Sequence, residues 1–419
     1  MAKKTMKILV LNSGSSSLKF QLFSASDINA DLHTLAFGLI EQIGTSQSTS
    51  QLTFINTPGA EKKLRQPLPI IDHRDAIMQM TELLGKSGTL VNNNELTGIG
   101  HRVVHGGEAF KQPVIIDDNV IAGIEALIPL APLHNPASLM GIRMSMEHAR
   151  QIPQVAVFDT AFHQSIPEHA YLYALPYVLY EQKKIRRYGF HGTSHSYVTQ
   201  QAARHLNRPI EGLKIISLHL GNGASAAAIR DGKCIDTSMG MTPLEGLIMG
   251  TRSGDLDPAI LFYLNREAGM NIDDLDSLLN KKSGLKGLCG ESDMRAISQA
   301  ASQGDTRARL ALRLFCYRLK KYIGAYIAAL GGVDCIIFTG GIGENSAIVR
   351  QMCCEDMQWA GLEINTQQNS KQQQDILEIQ TNNSQIKVIV IPTNEEYEIA
   401  RQTLQLIHQA KSADYRKDI

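Results

Sequence analysis

A run of small polar residues near the start of the chain has the composition of a phosphate-binding turn. The segment Asn12–Lys19 reads Asn-Ser-Gly-Ser-Ser-Ser-Leu-Lys and follows a short apolar run. A turn of Gly and Ser leaves backbone N–H groups and hydroxyls unobstructed, which is how loops hold phosphate oxygens, and Lys19 adds a cation. Because Gly and Ser also favour ordinary hairpin turns, this segment alone leaves both interpretations open.

Two later glycine-containing segments favour the phosphate interpretation. The segment His219–Ser225 repeats the small polar turn after a strand-like run, and Thr339–Asn345 follows another such run. Glycine lets a backbone approach a nucleotide closely. The three segments together predict a site for nucleotide phosphates, and we predict the third segment to be a loop.

Three other nucleotide motifs do not fit this chain. Gly85–Ser87 lacks the glycine that a P-loop would have at Met80. Gly341–Gly343 continues to Ser346, where a dinucleotide-binding fingerprint has its third glycine. His73–Asp75 copies the opening of a protein-kinase catalytic loop, but the metal-binding Asn of that loop would also fall at Met80.

Cationic residues lie in three glycine-containing segments, His101–Gly107, Arg186–His195 and Gly250–Pro258. An arginine fork binds carboxylates and phosphates bidentately and does not lose its charge, so arginines in these segments are candidates for holding anions. His191 and His195 have a spacing that could bind zinc on a helix. The intervening Gly-Thr-Ser argues against a helix there, and no further ligand is nearby.

The elements that must position these segments predict an α/β protein. Apolar runs at Lys7–Leu11, Val155–Phe158, Lys214–Leu220, Cys335–Thr339 and Lys387–Ile391 predict buried strands, and the helical spacing of Thr306–Leu330 predicts a helix. Ile8–Phe20 and Ile215–Ala226 both read as strand, small polar turn, strand. This repeat predicts two related α/β domains. Thr45–Thr53 and Gly88–Glu95 are predicted loops.

Composition excludes several function classes. The chain has 419 residues, which favours two domains, and its 41 Lys and Arg balance 41 Asp and Glu. A chain without a basic excess is a poor candidate for binding nucleic acid or an anionic membrane. The apolar run 8–11 is too short for a secretory signal, and the six cysteines form no CxxC pair, so we expect a cytoplasmic protein.

Ten segments, in order along nearly the whole chain, resemble the acetate kinase family, within the superfamily of acetate and sugar kinases, chaperone ATPases and actin. They are Asn12–Lys19, Gly100–Gly107, Ala131–Pro136, Phe158–His163, Arg187–His195, His219–Ser225, Gly250–Pro258, Ser292–Arg295, Gly341–Ser346 and Thr393–Glu396. Any one segment is a weak signal, but the ordered set is specific. The resemblance implies reversible in-line transfer of the γ-phosphate of ATP to acetate, giving acetyl phosphate and ADP.

The resemblance also implies catalytic roles. Arg102 and Arg252 would bind the carboxylate and the phosphoryl oxygens, and His191 with Arg252 would stabilise the planar transition state. Asp159 is the family's acid/base residue by convention. Because acetate is already ionised near neutral pH, we expect Asp159 instead to order metal-bound water or to orient Arg102.

Further positions are implied for the nucleotide and for a metal. The residues expected to contact ATP or ADP are Ser15, Ser17, Lys19, His219, Leu220, Gly221, Asn222, Gly223, Asp293, Met294, Arg295, Gly341, Ile342, Gly343, Glu344 and Asn345. Asn12 and Glu395 would hold Mg²⁺, a hard cation that takes oxygen ligands, and Mn²⁺ could replace it.

An apolar pocket is expected to set the size of the acid. The resemblance places its walls at Val104, Leu133, Phe190 and Pro243, with His134 near the substrate. A valine at position 104 suits a methyl group, whereas relatives that prefer propionate tend to have a smaller residue there. One methylene is worth about 1–3 kcal/mol, so propionate should be a poorer substrate.

The expected architecture is a pair of actin-like, ribonuclease H-like domains with a duplicated βββαβαβα core and a cleft between them. Residues 1–160 would form the first domain, joined by a returning helix at 393–410. Residues 161–392 would form the second, with nucleotide-binding and dimerisation roles, and 411–419 a polar tail. The family forms homodimers, so we expect one here.

Two alternatives stay open at this point. One is a propionate or butyrate kinase of the same family, against which Val104 argues. The other is an actin- or chaperone-like ATPase without an acyl acceptor, against which the presence of Arg102, His134, His191 and Arg252 together argues.

Overall fold

A computed structural model describes residues 5–57, 60–66, 69–371 and 375–417. The chain divides into two compact units. The first extends to Ala161 and includes the chain from Asn394 onward, and the second is Phe162–Thr393. Within the described part of the chain, no helix has the length and apolarity needed to cross a membrane.

The strands and helices of the described residues alternate along much of the chain. The strands are β1 (Met6–Ser13), β2 (Ser17–Ala25), β3 (His33–Glu41), β4 (Thr49–Thr57), β5 (Ala60–Gln66), β6 (Leu96–Val103), β7 (Val114–Ile115), β8 (Gln154–Phe158), β9 (Lys214–Leu220), β10 (Ala224–Arg230), β11 (Lys233–Thr237), β12 (Cys335–Thr339), β13 (Leu377–Glu378) and β14 (Lys387–Val390). The helices are α1 (His73–Lys86), α2 (Asp118–Ala126), α3 (Asn135–His148), α4 (Glu168–Tyr171), α5 (Tyr177–Lys183), α6 (Gly192–His205), α7 (Ala259–Ala268), α8 (Ile272–Lys281), α9 (Gly284–Cys289), α10 (Met294–Ser302), α11 (Thr306–Leu330), α12 (Gly340–Asn345), α13 (Ala347–Cys354), α14 (Thr366–Asn369) and α15 (Glu395–Lys417).

The sheet of the first unit has the strand order β5-β4-β3-β2-β1-β6-β8-β7. The strands β1, β2 and β3 pair as an antiparallel meander, and β6 and β8 continue from β1 in parallel. The carboxyl ends of β1, β6 and β8 therefore meet at one edge of the sheet. The residues that follow these strands, which include predicted site residues, are placed there as neighbours.

Alternation along β1 explains how both faces of this sheet are buried. Leu9 and Leu11 belong to the core that α1 covers, whereas Ile8 and Val10 pack with residues of α15. Successive side chains of a strand point to opposite faces, so β1 contributes to both cores. A Cβ at Gly98 of β6 would collide with the Ile407 side chain, so glycine there permits the close approach of α15.

The sheet of the second unit repeats the same core topology. Its order is β11-β10-β9-β12-β14-β13, with β9, β10 and β11 as an antiparallel meander and β12 and β14 parallel to β9. The central order β11-β10-β9-β12-β14 thus corresponds to β3-β2-β1-β6-β8 of the first unit. This confirms the predicted α/β class and the duplicated core.

The predicted strands and the long helix are confirmed, but three local predictions were wrong. The predicted loop Thr45–Thr53 contains the start of β4, where Leu52 and Thr53 are buried. The predicted loop Thr339–Asn345 contains the helix α12. The segment between His191 and His195 is helical, because α6 begins at Gly192. The polar segment predicted at 411–419 continues α15 as far as Lys417, and residues 418–419 lie outside the described residues.

Candidate active site

Arg102 is held by a buried carboxylate at the carboxyl edge of the first unit's sheet. Its Nη2 and Nε atoms donate to the two carboxylate oxygens of Asp159, at 2.5 and 3.2 Å, and its Nη1 donates to Asn12 Oδ1 at 3.4 Å. The Asp159 side chain is 1% exposed and that of Arg102 is 21% exposed. A two-point ion pair fixes the plane of the guanidinium, so Arg102 has a defined direction toward solvent.

Glu395 adds a second carboxylate beside the same guanidinium. One of its carboxylate oxygens lies 3.8 Å from Arg102 Nε. Burial alone would lower the pKa of Arg102, but the charges of Asp159 and Glu395 outweigh it, and the pKa is raised. Burial raises the pKa of Glu395, and the charge of Arg102 opposes that effect. Arg102 therefore remains a cation, and Asn12 and Glu395 place two oxygen-bearing side chains beside it.

The predicted phosphate turn is the tight connection between β1 and β2. Asn12 pairs with Lys19 across the hairpin, and Gly14 N–H donates to Ser17 O at 2.8 Å. Ser15 is exposed at the tip, and Lys19 Nζ lies 2.6 Å from a carboxylate oxygen of Glu396. The turn therefore presents hydroxyl and backbone groups to solvent, with one cation held at its base.

His73 contacts this turn, and the sequence did not reveal that contact. Its Nε2 atom lies 2.7 Å from Gly14 O, although His73 is separated from Gly14 by 59 positions. His73 is 5% exposed and begins α1. The sequence offered only a misleading signal, since His73 lay in the short resemblance to a protein-kinase loop.

The first-unit residues predicted for the acid lie on two segments that Asn135 joins. The Oδ1 atom of Asn135 accepts from His105 N–H at 3.2 Å, and its Nδ2 donates to His105 O at 3.1 Å. Asn135 is completely buried, whereas Leu133 is 60% exposed. The amide thus fixes the start of α3, with Leu133 and His134 before it, against the backbone that follows Val104. No pattern in the sequence pointed to Asn135.

In the second unit, two histidine rings stack at the start of α6 and the end of β9. The rings of His191 and His219 lie 4.3 Å apart with an interplanar angle of 25°. His191 has a left-handed backbone conformation, with φ of 56°, immediately before α6. Such a conformation is uncommon for a residue other than glycine and is found at sites where a side chain must be aimed. The Nδ1 of His191 bonds with Ser225 and that of His219 with Ser194.

Arg252 reaches the same place from the loop after β11. Its Nη1 donates to Pro243 O at 2.6 Å, and its Nη2 lies 2.7 Å from where a Cβ at Gly223 would be. The Cε1 and Nε2 atoms of His191 lie 3.5 Å from that position. Arg252 and His191 therefore converge on Gly223. Burial lowers the pKa of Arg252 from its usual high value, and a guanidinium with such a pKa stays charged near neutral pH.

Hydrogen bonds hold the turn between β9 and β10, Gly221–Gly223, against the loop that carries Arg252. Gly221 N–H donates to Gly223 O, and Gly250 N–H donates to Asn222 O, both at 2.9 Å. The Asn222 side chain occupies the space that a side chain at residue 250 would need. Leu220 is completely buried, so this residue can offer a ligand only its backbone. The turn and the Arg252 loop are thereby locked together.

The side chains of Glu344 and Asn345 are used within the second unit. Glu344 Oε1 accepts from Gly340 N–H at 2.9 Å and from Thr393 N–H at 3.0 Å, and Asn345 Nδ2 donates to Gly341 O. A Cβ at Gly341 would meet nothing within 4 Å. Of this segment, Gly341 and Asn345 are exposed and Ile342 is partly exposed, whereas Gly343 is buried and packs on Phe338.

The three residues predicted beside adenosine lie at the start of α10. Asp293 accepts from Arg295 N–H at 2.9 Å, caps the helix and pairs with the Arg295 guanidinium at 2.7 Å. The Arg295 side chain is 89% exposed, whereas Met294 is 4% exposed and packs inward. The polar contacts of Asp293 and Arg295 are with each other and with Glu291. Met294 therefore supports the helix rather than presenting its side chain.

The fold and these two clusters define a two-unit α/β phosphotransferase in which glycine turns and arginines follow parallel strands. The family profile described as "Acetokinase family" matches residues 7–401, and the chain belongs to this family. The acetate kinase of Syntrophobacter fumaroxidans is 51% identical over 406 residues, which cover 97% of this chain and 98% of that protein.

Solved structures of related kinases have the same fold. The crystal structure of Porphyromonas gingivalis acetate kinase matches with a TM-score of 0.89 and 45% identity, and covers 96% of this chain and 100% of its own. A propionate kinase from Francisella tularensis matches with a TM-score of 0.87 and 42% identity, and covers 96% of this chain and 99% of its own.

Proposed function

We propose that this chain is an acetate kinase, which transfers the γ-phosphoryl group of ATP to acetate and gives acetyl phosphate and ADP, reversibly. A carboxylate oxygen attacks the γ-phosphorus as the bond to the oxygen of ADP breaks. Ionised acetate has no proton to lose, so no base is needed. The observation that carries the proposal is the convergence of Arg252 and His191 on Gly223, in a chain about half identical to acetate kinases.

Arg252 and His191 stabilise the transferring group in this proposal. Phosphoryl transfer spreads negative charge over three equatorial oxygens, and the protein lowers the barrier by placing fixed positive groups and N–H donors around them. The Arg252 guanidinium is oriented by Pro243 O, and the His191 ring by Ser225 and the stacked His219. Both groups are therefore oriented before the substrates bind.

Arg102 binds the acceptor carboxylate. Its guanidinium is already aligned by Asp159, and its remaining N–H groups can donate to a second carboxylate. Asp159 then acts by positioning Arg102, and its full burial and two-point contact support this role. A general base would have no proton to remove from acetate.

Asn12 and Glu395 suit a magnesium ion. Both lie beside the same Arg102 guanidinium, at 3.4 and 3.8 Å, and together offer an amide oxygen and a carboxylate. Mg²⁺ keeps several waters and takes few protein oxygens where phosphates complete its shell, so this sparse donor set fits, and Mn²⁺ takes the same ligands. When bound, the ion would neutralise phosphate oxygens of ATP.

Each unit supplies groups that suit the nucleotide. Backbone N–H groups and hydroxyls at Ser15 and Ser17, with Lys19, suit phosphates, as do His219 and Gly221–Gly223. The start of α10 and the accessible Gly341 and Ile342 would flank adenosine. Lys19 is half exposed, at 52%, so it can turn from Glu396 toward a phosphate.

Acetate is preferred over propionate in this proposal. The residues proposed to contact the acid are Val104, Leu133 and His134 in the first unit and Phe190 and Pro243 in the second. Val104 is partly exposed after β6 and is therefore accessible to a substrate. The similarity at about 50% identity to acetate kinases supports acetate, although the Francisella propionate kinase shares the fold.

A homodimer in the cytoplasm completes the proposal. The helices α7 and α8 have no buried residue among those described, yet Phe262, Tyr263 and Ile272 are 64, 63 and 82% exposed. Large exposed apolar side chains clustered on consecutive helices favour an interface. The cysteines are free thiols and five of them are buried, as suits a reducing compartment. Sedimentation of the wild type and of Phe262→Glu would test the dimer.

The decisive experiment measures ADP release with ATP and magnesium while hydroxylamine traps any acyl phosphate. Acetate, propionate, butyrate and no acid are compared in parallel. We expect ADP and hydroxamate to form in equal amounts with acetate, with less of both from propionate. Equal ADP in every tube without hydroxamate would mean an ATPase that lacks an acyl acceptor.

A further inference from the structure

The hydroxyl of Ser225 lies between two histidine nitrogens in the second unit. Its Oγ atom is 2.9 Å from His191 Nδ1 and 2.8 Å from His195 Nε2. Ser225 is completely buried. A hydroxyl has one proton, so Ser225 donates to one of these nitrogens and accepts from the other. The direction of its hydrogen bonds decides which nitrogen of His191 carries the proton.

Ser217 determines that direction. Its Oγ lies 2.9 Å from His195 Nδ1, and Ser217 is completely buried on β9. Across the described ranges, the Ser217 hydroxyl has no other hydrogen-bond partner within reach. A buried hydroxyl proton without an acceptor is destabilising, so the Ser217 hydroxyl donates to His195 Nδ1.

Because His195 is neutral, the hydrogen bond that it accepts from Ser217 fixes the direction of its hydrogen bond with Ser225. Burial lowers the pKa of His195 well below its usual value, and the neighbouring imidazoles of His163 and His219 add to the effect. A neutral imidazole has one N–H and one bare nitrogen. Since Nδ1 accepts from Ser217, Nε2 carries the proton and donates to Ser225. The Ser225 hydroxyl must then donate to His191.

We propose that Ser217, His195 and Ser225 form a one-way hydrogen-bond chain that holds His191 as a neutral imidazole with its proton on Nε2. We call these three residues with His191 the hydroxyl–imidazole chain. Its catalytic meaning rests on the proposed function, because an Nε2–H of fixed direction can donate to the phosphoryl oxygens as charge develops on them. Ser217, His195 and Ser225 are positioning residues in this account, because they act through His191.

The hydroxyl–imidazole chain opposes protonation of His191. An imidazolium would need Ser225 to accept at Nδ1, which would reverse the chain and leave the Ser217 proton without an acceptor. Two neighbouring groups act in the same sense, because His219 is stacked on the His191 ring and the Arg252 guanidinium faces that ring across Gly223. Loss of the Ser225 hydroxyl should therefore make His191 easier to protonate.

The test is nitrogen NMR of the full-length protein labelled with ¹⁵N-histidine, recorded without substrates from pH 5 to 8. A protonated and a bare ring nitrogen differ strongly in chemical shift, and His191→Gln identifies the resonances by their loss. We expect the wild type at pH 7 to show His191 with a bare Nδ1 and a protonated Nε2. A protonated Nδ1 with a bare Nε2, or an imidazolium at pH 7, would overturn the proposal.

Two variants separate a directional chain from simple packing. Ser225→Ala should shift the His191 titration to higher pH. Ser217→Ala should shift it in the same direction although the hydroxyl it removes contacts His195 rather than His191, and an unchanged titration there would refute the chain. Ser194→Ala, which removes the Nδ1 partner of His219, should leave the tautomer of His191 unchanged. If Ser225→Ala does not fold, the wild type and Ser217→Ala still decide the matter.

Kinetics supply a second readout in the same variants. In Ser225→Ala, kcat should fall while the KM for acetate changes little, and the fall should be smaller than the roughly 100-fold cost of losing a direct donor. A raised KM with unchanged kcat would contradict the chain. Absence of acetate-dependent turnover in the wild type would contradict the proposed function. The NMR measurement of the His191 tautomer does not depend on turnover, so it tests the hydroxyl–imidazole chain separately.

Discussion

The Nη2 atom of Arg252 lies 2.7 Å from the point where a Cβ at Gly223 would be, closer than real Cβ contacts allow. A methyl group at residue 223 must therefore displace the guanidinium, and it would also approach the His191 ring at 3.5 Å. The glycine is required here by the side chains that converge on it. The absence of a side chain at residue 223 leaves the space that the Arg252 and His191 donors need, and it also exposes the backbone to phosphate.

Replacement of Gly223 by Ala should therefore lower kcat with little loss of stability. Losing one preorganised donor costs roughly 10²–10³-fold in kcat, and the displaced Arg252 should produce an effect of that order. Steady-state kinetics and thermal melting check this. Gly324→Ala is the matched control, because a Cβ at Gly324 in α11 meets nothing within 4 Å. That control should keep full activity and gain up to about 1 kcal/mol of stability.

Asp159 and Arg102 should behave as one unit in a double-mutant cycle. Arg102→Ala and Asp159→Asn should each lower kcat/KM for acetate. The double variant should lose less than the sum, with a coupling free energy of about 0.5–3 kcal/mol. Additive losses would mean that Asp159 acts independently of Arg102. The exposed pair Arg143–Glu125, with Nη2 and Oε2 3.0 Å apart, is a control whose removal should leave acetate kinetics unchanged.

The sequence predicted the strands whose residues are buried along their whole length. It did not predict contacts between residues that are far apart along the chain. All five apolar runs are strands, because strands covered on both faces are apolar throughout. β4 was missed because its first residues, Thr49–Thr53, are mostly polar, although Ser50 and Thr53 are buried. α12 was missed because glycine argues against helix, but Glu344 satisfies the N–H of Gly340 at its start. Propensity is a weak prior that such tertiary contacts override.

In the candidate site, too, residues with a local sequence signal could be predicted and residues with distant partners could not. Glycine turns and flanked arginines mark chemistry within a few residues, so Arg102, Arg252 and the two hairpins could be selected from the sequence. Asn135 and Ser217 carry no such mark. They are small polar residues whose importance lies in buried contacts with residues 30 and 22 positions away. The packing of α3 and α6 beside the strands brings these partners together.

Replacement of Val104 by Ala should shift preference from acetate toward propionate. The variant removes two methyl groups from the predicted pocket wall and makes room for one methylene, worth about 1–3 kcal/mol. The ratio of kcat/KM for propionate over acetate should therefore rise about tenfold or more. Val91→Ala, at a position 75% exposed, is the matched control and should keep the wild-type ratio. An unchanged ratio in Val104→Ala would remove Val104 from the pocket.

Two buried histidines should make the folded protein less stable in mild acid. Burial lowers the pKa of His101 and of His163 from 6.5 to about 4. Between these values the unfolded chain binds more protons than the folded one, so the free energy of unfolding rises with pH and falls as pH drops from 6.5 to 4. Each histidine contributes a slope of up to about 1.4 kcal/mol per pH unit in that window.

The measurement is urea unfolding at pH 5 and pH 7 in the wild type and in His101→Gln. Carboxylates also titrate on acidification, so the quantity that decides is the difference in slope between the two proteins. The variant should lose part of the pH dependence even if it is less stable at both pH values, because residue 101 then has no proton to take up on unfolding. His33→Gln, at an exposed position, is the matched control for replacing a histidine by glutamine. A slope in His101→Gln equal to that of the wild type would show that burial does not hold His101 neutral in the folded protein.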